Sequence, residues 1–204
     1  MKYIFATNNS GKVKEIRAMF AKAGLELLCL ADLDLEFYPN ETGLTFESNS
    51  YQKAFETLEF LRKNGHDENV MTVLADDSGL VIEALEGVLG VDSANFMGRD
   101  TPYSVRNKKI IEMLENSQTR VAYFECVITC VGYKIKPISF VGKLYGEITK
   151  EPSGENGFGY DPIFFVPQFN KTLAELTQDE KNSISHRGEA LRQLLDYLKG
   201  LKVE

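Results

Sequence analysis

The sequence predicts an α/β fold, and three stretches carry that expectation. Residues 2–7 form a short apolar run that reads as a buried strand and passes through Asn8-Asn9-Ser10-Gly11-Lys12 into a helical pattern. Thr72-Val73-Leu74-Ala75 is apolar and β-branched, and it stops at two adjacent carboxylates, Asp76-Asp77, followed by Ser78-Gly79. Val121 to Val131 and Ile138 to Ile148 read as two long strands, paired antiparallel through a turn at Gly132-Tyr133-Lys134. No repeat, low-complexity tract or linker splits the 204 residues, so one domain over 1–204 is expected.

The first helix is expected from about Val13 to Ala23. Val13, Ile16, Met19, Phe20 and Ala23 fall at helical spacing, and Gly24 suits the left-handed residue past its end. A strand, a polar glycine-containing loop and a helix start leave backbone N–H groups free for phosphate, and Lys12 adds a point charge. The loop lacks the leading glycine and the Ser or Thr of a Walker A motif, and many such loops bind nothing. Leu25 to Leu30 reads as a second strand. Thr45 caps a helix that runs to about Lys63 and ends at Gly65. On it Asn49 and Lys53 share one face, while Phe46, Ala54, Leu58 and Leu61 supply the buried side. A lysine on such a helix is more often simply solvated. His66 falls in a polar turn and is expected to be exposed.

The acidic stretch 76–79 has two readings. Carboxylates at the end of a buried strand are a favoured place to hold a hard cation against phosphate oxygens. A polar turn at a strand end explains the same residues with no function at all. Asp76 and Asp77 start on opposite faces unless the backbone turns, and Gly79 permits that turn. Leu80-Val81-Ile82 resumes the strand, Gly87 to Gly98 is irregular, and Thr101-Pro102 opens a helix with Thr101 as cap and Pro102 as first residue.

Composition narrows the partners. A net charge of −7 repels a nucleic-acid polymer but leaves room for a small anion held by a local basic cluster and a metal. Cys29, Cys126 and Cys130 form no CxxC pair, and their odd number fits a reduced cytoplasm, with Cys126 and Cys130 packed on one strand face. Residues 1–7 are too short for a signal peptide and no run approaches a membrane span, so no membrane partner is expected.

The last third holds a glycine-rich stretch, Gly157-Phe158-Gly159-Tyr160-Asp161-Pro162, then Lys181, and then Ser185-His186-Arg187-Gly188 at the front of the closing helix. Phe158 offers a ring for a base to stack on, although an aromatic beside glycines is more often local packing. Two cationic-capable residues at the positive end of a helix make sense if something anionic or acceptor-rich sits there.

In this order and spacing, Thr7–Lys12, Glu41-Thr42-Gly43-Leu44-Thr45-Phe46, Asn49, Lys53, Ala75–Gly79, Gly157–Pro162 and Ser185–Gly188 resemble the inosine triphosphate pyrophosphatase family, the dITP/XTP pyrophosphatases. The resemblance implies an elongated, twisted mixed β-sheet flanked by helices, with two lobes around a central active-site cleft. It implies a homodimer and Mg²⁺-dependent hydrolysis of inosine, deoxyinosine and xanthosine triphosphates to monophosphate and pyrophosphate. By the same resemblance Thr7, Asn8, Asn9, Ser10, Gly11, Lys12 and Lys53 hold phosphates, and Glu41 and Asp77 form the metal site. Asp77 is the catalytic base, and Ser78, Phe158, Gly159, Tyr160, Asp161, Lys181, His186 and Arg187 contact the nucleotide. The chain departs from the family where Ser48-Asn49-Ser50 replaces Glu-Asn-Ala and where Leu89–Asn95 replaces Pro-Gly-Ile-Tyr-Ser-Ala-Arg.

Charge counting points the same way as the resemblance. A carboxylate beside a phosphate costs on the order of 4 kcal/mol at about 4 Å and an effective dielectric near 20, and lysines cannot bridge the two as a divalent cation does. Two other readings stay open: a nucleotide sensor with a dead site, for which Ser48 speaks, and a pyrophosphatase acting on modified pyrimidines.

Overall fold

The computed structural model describes residues 2–67, 71–132 and 135–201. In chain order its elements are β1 (Lys2–Phe5), α1 (Ser10–Lys22), β2 (Leu27–Cys29), α2 (Phe46–Lys63), β3 (Met71–Ile82) and α3 (Tyr103–Met113). After these come β4 (Val121–Gly132), β5 (Ile135–Ile148), β6 (Phe164–Val166), β7 (Lys171–Thr172), α4 (Gln178–Ile184) and α5 (His186–Gly200). Among the described residues the strands form one sheet in the order β2-β1-β3-β4-β5-β6-β7. β1 is parallel to β2 and β3, whereas β6 is antiparallel to β5 and β7, so the α/β sheet is mixed. Only two residues separate β4 from β5, a connection that hydrogen-bonded neighbours can make only when antiparallel. Tyr133 and Lys134 of the expected turn lie outside the described residues.

The chain divides into two compact units, and β3, β4 and β5 each run through both. The first comprises 1–77, 126–141 and 189–204, and the second 78–125 and 142–188. In the first unit strand alternation sorts the core. Tyr3, Phe5 and Leu74 face one way, onto Ile16 and Phe20 of α1 and Leu191, Leu194, Leu195 and Leu198 of α5. Ile4, Ala6, Val73 and Ala75 face the other way, onto Ala54 and Leu61 of α2. Register fixes this arrangement, because Phe5 pairs with Leu74 and Ile4 with Val73. Cys126 and Cys130 are buried in the first of these cores as free thiols. The second unit has its own core, in which Leu80 and Ile82 meet Ile110 and Leu114 of α3, together with Phe124, Phe164 and Ile163.

Three expectations need correction. The acidic stretch is not a turn: β3 continues unbroken from Met71 through Asp76-Asp77-Ser78-Gly79 to Ile82. Ser78 and Gly79 favour turns in isolation, but β3 is an inner strand of the sheet and ladder pairing overrides that preference. α1 begins at Ser10, ahead of Val13, because Asn9 caps it by accepting from the Lys12 amide at 3.1 Å. α3 begins at Tyr103, with Pro102 in the cap position, and the Thr101 hydroxyl instead donates to Met97 O. Thr45 does cap α2, and Gly24 does take the left-handed conformation, at φ +68°.

Asp32, on the turn after β2, shows how the first unit ties its edge. Its carboxylate accepts from the Cys29 amide at 2.7 Å and from Arg17 of α1. The Cys29 amide, the Cys29 thiol and Arg17 hold its pKa down at about 2. A depressed carboxylate stabilises the fold fully above its unfolded pKa near 4 and loses that contribution as pH falls through about 2. Asp32→Asn is therefore expected to lower urea stability at pH 7, with the deficit vanishing between about pH 4 and pH 2. A deficit that is the same at both ends of that window contradicts the assignment.

Candidate functional site

Because β3 runs straight through, Asp76 follows the face of Leu74 and Asp77 the face of Val73 and Ala75. Each carboxylate then meets a lysine from the helix covering its side. Lys12, in the first turn of α1, reaches Asp76 at 2.8 Å. Lys53 of α2 reaches Asp77 at 3.1 Å and Glu41 at 2.6 Å with the same nitrogen. Asn49, one turn before Lys53, donates to the other Asp77 oxygen at 3.1 Å. The sequence marks both aspartates as candidates, and the continuous strand adds the pairing of Asp76 with Lys12.

α2 is locked against this strand. Ser50 donates to the Ala75 carbonyl at 2.9 Å and accepts from the Thr129 amide at 2.9 Å, so the helix is fixed beside the peptide that precedes Asp76. Gly43 allows the segment carrying Glu41 to press on the start of α2: its amide donates to Asn49 at 2.7 Å, and a Cβ there would overlap the Ser48 and Asn49 side chains. Ser48 closes the Thr45 capping box, accepting from the Thr45 amide at 3.1 Å. That is a structural role for the residue at which the family pattern departs.

The electrostatics follow from burial. Burial pulls the Lys53 ammonium down, but Asp77, Asp76 and Glu41 together outweigh it and hold it above its ordinary value, so it stays charged. Burial pushes the Asp77 carboxyl above the usual carboxylate value, against the pull of Lys53 and Asn49. Asp77 is thus more basic than a solvated aspartate. Glu41 is the accessible member, with 42% of its side chain exposed.

Thr7 to Gly11 bring the chain from β1 into α1. Thr7 Oγ1 accepts from the Asn9 amide at 3.2 Å, Asn9 caps the helix, and Asn8 Nδ2 donates to Phe37 O at 3.2 Å. Ser10 and Gly11 occupy the first turn of α1, where amides lack helical partners.

The remaining candidates lie in the second unit. Lys181 of α4 donates to Asp161 Oδ2 at 2.6 Å, and the same oxygen accepts from the Phe158 amide at 2.8 Å. The Lys181 ammonium also sits 4.8 Å from the centre of the Phe158 ring, which is 44% exposed. Arg187, at the front of α5, donates to the Ser78 hydroxyl at 3.2 Å, and His186 stacks on Phe124 with ring centres 4.9 Å apart. Tyr160 is committed to the core: its hydroxyl donates to Ser93 O at 2.6 Å, and burial pushes its pKa up to about 12. The Gly159 carbonyl accepts from buried Asn107, 52 residues away in the chain, at 3.2 Å, a contact no local pattern signals. Ser93, in the segment 89–95 that departs from the family pattern, accepts from the Leu80 amide at 3.2 Å.

Among the described residues no three His, Cys, Asp or Glu side chains gather as a self-sufficient metal centre. Glu41 and Asp77 nonetheless share one ammonium partner, and two carboxylates are what Mg²⁺ ordinarily takes from a protein when phosphates and water complete its shell. The residues fit.

The open mixed sheet, with lysine-matched carboxylates on β3, defines an α/β protein with a charged cluster at its centre strand. The chain belongs to the Ham1 family, whose sequence pattern matches residues 3–197. A dITP/XTP pyrophosphatase of Clostridium perfringens is 45% identical over 202 residues, covering 98% of both chains. One from Staphylococcus epidermidis is 43% identical over 197 residues, covering 97% of this chain and 96% of that one. Among solved structures the Staphylococcus aureus Ham1 protein matches with a TM-score of 0.85 at 37% identity, covering 98% of this chain and 99% of that one.

Gly157 tests the second cluster. It sits at φ +77°, and a Cβ there would collide with the Asp161 carboxylate, which Lys181 and the Phe158 amide hold in place. Gly157→Ala is expected to cost about 2 kcal/mol of stability in urea denaturation, from left-handed strain plus displacement of that carboxylate. A variant as stable as wild type contradicts this geometry.

Proposed function

We propose that the chain is a nucleoside triphosphate pyrophosphatase that converts inosine, deoxyinosine and xanthosine triphosphates to monophosphate and pyrophosphate, with Mg²⁺ as cofactor. The observation that carries the reading is the lysine–carboxylate arrangement on β3, where Lys53 bridges Glu41 and Asp77 while Lys12 holds Asp76. The naming of full-length relatives at 41–45% identity as dITP/XTP pyrophosphatases supports it. We also assign the protein to the cytoplasm, as a homodimer. Among the described residues no helix is long and apolar enough to cross a membrane.

In this reading residues 7–12 hold phosphate, with the Ser10 and Gly11 amides at the helix start as donors, and Lys12 and Lys53 supply positive charge as they exchange carboxylate for phosphate partners. Glu41 and Asp77 would hold a divalent cation, which would supply Lewis-acid stabilisation of the phosphoryl oxygens. Asp77 takes the proton of the attacking water, a role that burial favours by making it more basic. Water adds, the α–β anhydride bond breaks, and pyrophosphate leaves. Ser78, Phe158, Gly159, Asp161, Lys181, His186 and Arg187 take the nucleoside, with Phe158 as stacking surface. Tyr160 contributes through its backbone, since its side chain is spent on Ser93. Arg187 and His186 donate to the 6-oxo acceptor that separates inosine from adenosine.

The deciding assay is pyrophosphate release from a panel of purine and pyrimidine triphosphates with Mg²⁺. Turnover of inosine triphosphate is expected and excludes a silent sensor, and preference for a modified pyrimidine would overturn the purine reading. Asp77→Asn is expected to lower kcat by about 10²–10⁴-fold or more while nucleotide still binds. Near wild-type turnover at saturating Mg²⁺ would remove Asp77 from the mechanism. Arg187→Ala is expected to narrow the ratio of kcat/KM for inosine over adenosine triphosphate, which a hydrogen-bonding site can hold as high as about 10⁴. An unchanged ratio means that Arg187 does not read the base.

A further inference from the structure

From Leu35 to Thr45 the chain forms neither helix nor strand, yet it is not loosely attached. It lies along one face of α2 in rungs. Gly43 N donates to Asn49 at 2.7 Å, and Thr42 N and Oγ1 donate to Gln52 at 3.3 and 3.1 Å. Glu41 accepts from Lys53 at 2.6 Å, Asn40 N donates to Glu56 at 2.9 Å, and Phe37 stacks on Phe60 at 4.4 Å. Positions 49, 52, 53, 56 and 60 recur at helical spacing while their partners count down from 43 to 37, so this strap runs antiparallel to the helix. Glu56 is the busiest rung that touches no carboxylate of the site. It accepts from Asn40 N and from both Asn40 Nδ2 and Gln52 Nε2.

We propose that Glu56, supported by Gln52, is a positioning residue that holds the strap on α2 so that the Glu41 carboxylate is delivered to the divalent cation. The inference rests on the reading of Glu41 as a metal ligand. Glu41 stands on irregular backbone with much of its side chain in solvent, and such a segment opens locally unless its amides are tied. Asn49 and Lys53 also tie it, but they touch Asp77 as well, whereas Glu56 and Gln52 hold the residues on either side of Glu41 without touching Asp77.

The test compares wild type with Glu56→Ala, Glu56→Gln, Gln52→Ala and Glu41→Gln. Its readouts are Mn²⁺ binding to nucleotide-free protein by paramagnetic resonance, amide exchange at Asn40 and Thr42, melting temperature, and the Mg²⁺ concentration giving half-maximal activity. Glu56→Ala is expected to speed exchange in the strap and to weaken both metal readouts by about 10-fold, the lower end for lost supporting partners, while kcat at saturating Mg²⁺ stays within about twofold. Glu56→Gln keeps an acceptor for Asn40 N and restores most of the loss. Gln52→Ala gives the same effect in smaller measure and stands in if Glu56→Ala folds poorly. Metal readouts unchanged in Glu56→Ala, or in Gln52→Ala as its replacement, overturn the proposal if Glu41→Gln weakens them. If Glu41→Gln itself leaves them unchanged, it is the metal assignment of Glu41 that falls, and the positioning role falls with it.

Discussion

The first unit depends on a geometric constraint: an inner strand passes straight through two adjacent aspartates. A strand that continues must send neighbours to opposite faces. Asp76 therefore joins the side covered by α1 and Asp77 the side covered by α2, and each helix brings one lysine to meet its carboxylate. A turn at this point would have released both aspartates to solvent. The continuous strand buries them instead, leaving Asp76 1% and Asp77 7% exposed.

Burying ion pairs is a poor way to stabilise a fold, since desolvation offsets most of their attraction. Apolar residues at these positions would pack at least as well. In the proposed function, three carboxylates held by two lysines form a charge balance in which an ammonium turns from carboxylate to phosphate when a polyphosphate arrives with its cation. The neutral supports are stiffer. Asn49 fixes one Asp77 oxygen, and Ser50 fixes α2 to the Ala75 and Thr129 backbone. The charged groups sit within a frame of uncharged hydrogen bonds.

Much of this was legible in the sequence. Apolar runs and helical spacing located β1 to β5 and helices α1, α2, α3 and α5, but not β6, β7 or α4, and Thr45 and Gly24 marked two helix ends. What escaped was set by particular partners rather than by spacing. The strand through Ser78-Gly79 is imposed by its neighbours in the sheet, against local preference. Asn9 as cap and Tyr160 as core residue depend on a particular hydrogen bond, which spacing does not reveal. The face formed by Gln52 and Glu56 looks like any solvated helix surface until the strap is seen lying on it.

The proposed reaction is tested most directly by the identity of its products. Purified protein, inosine triphosphate and Mg²⁺ would be followed by phosphorus NMR through a single turnover. The account requires inosine monophosphate and pyrophosphate as the only phosphorus products, with neither formed when the metal is chelated. Inosine diphosphate and inorganic phosphate, or products that form equally well under chelation, would contradict it.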